Sequence, residues 1–239
     1  MDIVIYFALL LALALSLIAQ VRVSTTFRRY SRVPTRQGMR AEDVARLVLD
    51  TAGCTDVVIE RTRGNLTDHY DPRTKTLRLS DSTFGNASAA AVGVACHEAG
   101  HAIQHREEYL PLKLRSVMVP ATTFASRAWY FIFMIGLLFL FVSPDMTLPG
   151  LDFSIGYYVI LAGIALFSVT TLFQLVTLPC EFNASSRALR AMRETGYFEK
   201  SELAGARQVL SAAAMTYISA ALVSILQLLL LLSMVRRNR

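Results

Sequence analysis

Two histidines four residues apart, His97 and His101, enclose a glutamate in the run His97-Glu98-Ala99-Gly100-His101. On a helix, positions i and i+4 share one face about a turn apart, so both imidazoles can reach one metal ion. The carboxylate between them can address a water held at that ion. This HExxH spacing suits zinc-assisted hydrolysis, in which two neutral imidazoles bind the metal and a glutamate serves as the base. A catalytic zinc keeps one coordination position open and takes three protein ligands. The motif supplies two, so the rest of the chain must supply a third.

The chain around the motif is not composed like a soluble domain. Of its 239 residues 54% are hydrophobic and only 18% charged, and the mean hydropathy is +0.43, values of the membrane class. The formal net charge of +6 is modest. No stretch combines dense Lys and Arg with interleaved aromatics, which speaks against a nucleic-acid partner. The arginines cluster beside apolar runs, where they read as membrane-surface anchors. Three cysteines, Cys54, Cys96 and Cys180, offer no disulfide framework. Cys96 precedes His97 and Cys180 precedes Glu181, and both read as small buried thiols packed beside the site.

Several elements must position these groups. Residues 3–21 form an uncharged apolar run long enough to span a bilayer. Arg22, Arg28, Arg29, Arg32, Arg36 and Arg40 follow it, which places the N-terminus outside and the basic stretch in the cytoplasm. With Asp2 in place of a basic n-region and no small-x-small cleavage site, the run reads as an uncleaved anchor. Residues 41–52 have helical periodicity, with Val44, Leu47, Val48 and Thr51 on one face and Gly53 as the stop. Strands are expected at 57–59, 66–70 and 75–80, the last two joined by the turn Asp71-Pro72-Arg73-Thr74. The motif helix is expected over about 87–108, with a cap among Ser80, Asp81, Ser82, Asn86 and Ser88, and Pro111 as its end. Further apolar helices follow at 128–142, beginning nearer Val117, at 155–178 and at 209–235. The segment 143–152, acidic and without positive charge, fits an outer loop, and 180–190 reads as a separate polar amphipathic helix.

Topology narrows the third ligand. Two spans separate the motif from residue 179 onward, and an even number of crossings returns the chain to the same face. Glu181, Glu194 and Glu199 are therefore admissible, whereas Asp145 and Asp152 are not. Glu181, at the membrane exit, stands ahead of the other two, which flank the loop-like Thr195-Gly196-Tyr197. Its structural alternative is a carboxylate at a helix N-terminus, where the macrodipole favours it. His69 and Asp71 remain as candidates, and His105, eight residues beyond His97, lies too far along a straight helix.

The blocks His97-Glu98-Ala99-Gly100-His101-Ala102-Ile103-Gln104, Asp68-His69-Tyr70-Asp71-Pro72, Leu77-Arg78-Leu79-Ser80 and Glu181-Phe182-Asn183-Ala184-Ser185 resemble those of the YugP-like family of bacterial membrane zinc metallopeptidases. The likeness covers nearly the whole chain. The Glu181 block is also similar to the glutamate segment of the CAAX prenyl endopeptidases and related membrane proteases of gluzincin type. The resemblance implies one zinc ion per chain held by His97, His101 and Glu181, with Glu98 as catalytic base. Those relatives carry an aspartate four residues after the glutamate, where this chain has Ser185. Asn183, Ser185 or a backbone carbonyl is left to orient a zinc histidine.

The expected fold is an α-helical membrane protein with a small α+β zincin-like part and about four transmembrane helices. Its expected divisions are an anchor at 1–22, a cytoplasmic zincin-like domain at 23–115, two transmembrane helices at 116–180, and a third-ligand helix with a C-terminal span at 181–239. His69, Tyr70 and Tyr109 are the candidates to stabilise an oxyanion or contact substrate. The strand 75–80 is expected to present an edge to an extended peptide. The expected partners are a protein or peptide substrate and the lipid bilayer, with room for membrane-protein partners or a homo-oligomer. The expected location is the bacterial inner membrane, multi-pass, with the site facing the cytoplasm. The competing class is a membrane scaffold or chaperone that retains the zinc site; Glu98 argues against it, because a structural zinc needs no base there.

Overall fold

A computed structural model describes residues 2–147, 149–150 and 152–237, so Leu148 and Leu151 of the expected outer loop lie outside it. Six helices and three strands follow in the order α1 (Asp2–Tyr30), α2 (Ala41–Thr51), β1 (Val58–Thr62), β2 (His69–Asp71), β3 (Thr76–Ser80), α3 (Ala89–Arg106), α4 (Leu110–Val142), α5 (Ile155–Glu194) and α6 (Lys200–Arg237). Four of the helices, α1, α4, α5 and α6, are long and apolar enough to cross a membrane. The protein is an α-helical membrane protein with a small α+β part.

The long helices overrun the apolar runs that announce them. α1 continues nine residues past Val21 through Arg22, Arg28 and Arg29, because charged residues with good helix propensity propagate a turn already formed. α5 does not break near residue 179. It runs on for 40 residues with Pro179 in its interior, so the segment 180–190 is not a separate helix and Glu181 is no helix N-terminal residue. Pro111 likewise does not end α3. It occupies the first turn of α4, where a missing N–H costs nothing. α3 stops at Arg106, and Glu108, at φ 55°, turns the chain.

The chain divides into two compact units. The first comprises residues up to Ser16, Leu114–Val176 and those from Ile218 onward. Its core joins Phe133 of α4, Ile160, Ile164 and Phe167 of α5 and Leu231 of α6. Here α4 and α5 run antiparallel with backbones nearly touching. A Cβ on Gly163 would stand 2.9 Å from the Phe133 backbone nitrogen, and one on Gly136 2.7 Å from that of Ile160. Small residues at such crossings let helices gain dispersion where lipid offers no hydrophobic drive. The flanking apolar side chains of this unit, such as Phe131, Leu138 and Phe141, are exposed, as lipid contact requires.

The second unit, Leu17–Lys113 with Thr177–Tyr217, carries the sheet and α3. The sheet order is β1-β3-β2, with β1 parallel and β2 antiparallel to β3. β3 is therefore central, hydrogen-bonded on both sides, and cannot be the strand that presents an edge. Its alternation puts Leu77 and Leu79 into the core while β1 and β2 close its two edges. The core gathers Val44, Val48 and Leu49 of α2, Leu77 and Leu79 of β3, Val92 and Ala95 of α3, Met192 of α5 and Leu210 of α6. On α2 the buried face includes Leu49 in place of the exposed Thr51. Gly53, at φ +71°, ends the turn that follows α2.

Candidate metal centre

α3 begins where the Ser88 hydroxyl accepts a hydrogen bond from the Ala91 N–H, with Asn86 Oδ1 in turn accepting from the Ser88 N–H. The first half of the helix is almost wholly Ala, Val and Gly, and it is buried. A Cβ on Gly93 would stand 3.0 Å from the Ala206 methyl of α6. Small side chains thus let neighbouring helices close on α3 from two directions. On the α5 side Gly100, between the two motif histidines, faces Ala184. A Cβ there would stand 2.7 Å from the Ala184 carbonyl oxygen, closer than real Cβ contacts come. That approach brings the α5 segment around Glu181 down onto the histidines.

His97, His101 and Glu181 converge, with one ligand atom from each lying within 4.8 Å of the others. Glu181 Oε2 is 3.1 Å from His97 Nε2, and Oε1 is 3.7 Å from His101 Nε2. The two imidazoles meet edge to face, with centroids 4.8 Å apart. Zinc bonds N and O donors at about 2.0–2.2 Å, so two ligands of a tetrahedral centre stand about 3.3–3.6 Å apart. The two separations from Glu181 bracket that span, and two imidazoles with one carboxylate are a zinc donor set. Glu98 is also buried, at 8% exposure, one residue along from His97. Burial disfavours charge on the His101 imidazole. The Cys180 and Glu181 side chains beside it and the nearby Glu98 carboxylate outweigh that and raise its pKa to about 10. Two buried carboxylates, Glu98 and Glu181, thus lie close to the imidazoles, an arrangement that favours a cation.

The far nitrogen of each histidine is also occupied. Ser185 Oγ lies 3.2 Å from His97 Nδ1, so Ser185 stands in the orienting position that the resemblance left open. Gln104 Oε1 lies 3.0 Å from His101 Nδ1. Among the described residues Asn183 makes no hydrogen bond to a histidine; its Oδ1 accepts from Gln104 Nε2 at 2.9 Å. Gln104 was not among the residues expected to serve the site. The signal available was its position three residues beyond His101, on the same helical face.

Of the three residues considered for an oxyanion, His69 and Tyr70 have side-chain partners outside the cluster. His69 is exposed on β2, with Nδ1 2.9 Å from the Thr67 carbonyl. The Tyr70 hydroxyl is 2.9 Å from His105 Nδ1. Burial, with a lesser contribution from Cys54, Asp56 and Asp71, pushes the Tyr70 phenol up to about 12. Tyr109 donates its backbone N–H to the Gln104 carbonyl beyond the end of α3, and among the described residues its ring makes no hydrogen bond to the cluster. Glu194 ends α5 and Glu199 pairs with Arg36 at 2.8 Å, so neither joins the histidines. Burial raises the Cys96 thiol to about 12, which leaves it an inert packing group.

Four membrane-length helices and an HExxH helix completed by a glutamate from another helix define a membrane protein with a zinc-type metal centre. The chain belongs to the family described as "Putative neutral zinc metallopeptidase", which it matches over residues 5–236. It is similar to a protein of Bacillus subtilis (strain 168) named "Putative membrane protease YugP", with 43% identity over 223 residues, covering 93% of this chain and 92% of that one. No solved structure matches it. Zinc is the cofactor that membership implies, and the donors fit it.

Proposed function

We propose that this protein is a zinc endopeptidase of the bacterial inner membrane, hydrolysing peptide bonds of proteins or peptides at the cytoplasmic face. The observation that carries the reading is the convergence of Glu181, 84 residues downstream, on the two motif histidines with ligand spacing. The basic residues that follow the apolar start of α1 support the cytoplasmic side. The division into an anchor (1–22), a cytoplasmic domain (23–115), two spans (116–180) and a ligand helix with a last span (181–239) goes with that topology.

His97, His101 and Glu181 would hold the zinc, which when bound supplies Lewis acidity and lowers the pKa of water. Glu98 accepts the proton of the attacking water and passes it to the leaving amine. Backbone pairing with an extended peptide falls to β2, the edge strand that packs on α3.

The test is Glu98→Gln in the full chain. Zinc content should stay at the parent level while peptide hydrolysis falls by roughly 100- to 10,000-fold, the usual worth of a positioned general base. Turnover that survives in the zinc-loaded variant would exclude Glu98 as the base.

A further inference from the structure

Gln104 is fully buried, and all four of its amide hydrogen bonds are made. The polarity of those bonds follows from one end of the chain that they form. Arg187 has donors only. Its Nε donates to Asn183 Oδ1 at 2.6 Å, so Asn183 must turn its carbonyl oxygen, not its NH2, toward this point. That oxygen also receives Gln104 Nε2 at 2.9 Å. The Cys180 backbone carbonyl, which can only accept, receives the same nitrogen at 2.8 Å. Both N–H groups of the Gln104 amide are then used, and its oxygen must face His101. At 3.0 Å from Nδ1 that oxygen accepts, with the Cys180 thiol as its second donor at 3.4 Å. His101 Nδ1 therefore carries a proton. In a neutral imidazole the lone pair is then on Nε2, the nitrogen that faces Glu181.

We propose that Gln104 is a positioning residue that fixes the tautomer and ring orientation of His101 and so presents Nε2 to the metal, with Asn183 and Arg187 fixing the amide of Gln104 in turn. The inference rests on the zinc reading of the centre. His97 is held differently. Its partner is the Ser185 hydroxyl, which rotates and can donate or accept, so it orients the ring without dictating the tautomer. The two ligand histidines of one motif are thus governed by unlike devices, a clamped amide and a free rotor.

The chain has four histidines, few enough for each imidazole of the zinc-loaded, histidine-labelled full-length protein to be assigned by NMR. The parent should show zinc on His101 Nε2 and an exchange-protected Nδ1–H. Gln104→Leu should lose that protection at His101 and keep the His97 signals, and chelator competition should show zinc bound roughly 10- to 100-fold more weakly. Gln104→Glu with its carboxyl protonated keeps an acceptor oxygen facing Nδ1 and an O–H facing the Cys180 carbonyl and Asn183 Oδ1, so below the pH at which that carboxyl ionises it should retain the His101 signal and bind zinc more tightly than Gln104→Leu. It decides the question alone if the leucine variant does not fold. Ser185→Ala should reverse the pattern and disturb His97 alone. An unchanged His101 Nδ1–H in Gln104→Leu, zinc on His101 Nδ1 in the parent, or a glutamate variant that loses the His101 signal while its carboxyl is protonated would overturn the proposal. Failure of the peptidase reading has a separate signature: turnover by Glu98→Gln with the imidazole signals and zinc affinity at parent values.

Discussion

The two units of this protein achieve close packing with the same residue type for unlike ends. In the helical unit, Gly136, Gly156 and Gly163 let the α4 and α5 backbones touch, and the surrounding apolar side chains are left to lipid. In the site-bearing unit, Gly100 serves the same approach between α3 and α5, but what it brings together is polar: two histidines, two glutamates and a glutamine, all largely buried. The first contact contributes stability alone. The second must contribute geometry, because a metal centre tolerates shifts of only a few tenths of an ångström. The cost of the second design is a set of buried charges that a cation has to balance.

Substitutions at corresponding points measure that difference. The largest expected effect is on metal content. Glu181→Ala removes a ligand from the only His/Cys/Asp/Glu cluster of metal-binding spacing among the described residues, and zinc affinity should fall by more than the roughly 10- to 100-fold that an outer partner is worth. Stoichiometric zinc after dialysis would place the third ligand elsewhere.

Gly100→Ala comes next. Alanine gains up to about 1 kcal/mol of helix propensity, yet its methyl group must displace a backbone carbonyl, an overpacking that costs typically 1–3 kcal/mol. Net stability should fall modestly, and zinc affinity should fall with it, because α5 carries Glu181 away. Gly163→Ala poses the same steric problem against the Phe133 backbone and should destabilise by a similar amount with zinc affinity unchanged. Thermal unfolding read beside chelator competition separates the two variants. Equal losses of zinc in both would erase the distinction between the units.

The smallest effect concerns the outer end of the Gln104 chain. Arg187 pairs with Glu107 at 2.7 Å, and that hydrogen bond holds the Glu107 carboxyl below its usual range. A depressed folded pKa adds stability above the unfolded value of about 4.3 and loses it as the pH falls through the folded pKa. The pair is half exposed, so it is worth under about 1 kcal/mol. Glu107→Gln should therefore lower the unfolding temperature slightly at pH 7, by an amount that shrinks to nothing at acid pH below the folded pKa. An equal shift at both would mean that charge is not the cause.

Much of the protein was legible before folding was considered. The HExxH spacing declares two ligands and a base because helical periodicity is local. Apolar runs declare four spans because bilayer thickness is a length that sequence can meet. The β2–β3 hairpin followed from Asp71-Pro72-Arg73-Thr74. Strand order did not follow, because β1 joins β3 in parallel across β2, and pairing between distant strands leaves no local mark. The continuity of α5 through Pro179 was hidden for the opposite reason: a proline is a local stop signal, and tertiary packing overrode it.

The sequence by itself determined the membrane class, the helix that bears His97, Glu98 and His101, and a short set of carboxylates able to join them. Only the tertiary structure decided that Glu181 lies with the histidines, that Ser185 takes one Nδ1 and that Gln104 takes the other. A ligand's identity is a matter of residue type, which a sequence states outright. Which atoms lie within 3–4 Å of one another depends on how closely two helix backbones approach, and here that distance is set by the missing side chain of Gly100 against the carbonyl of Ala184.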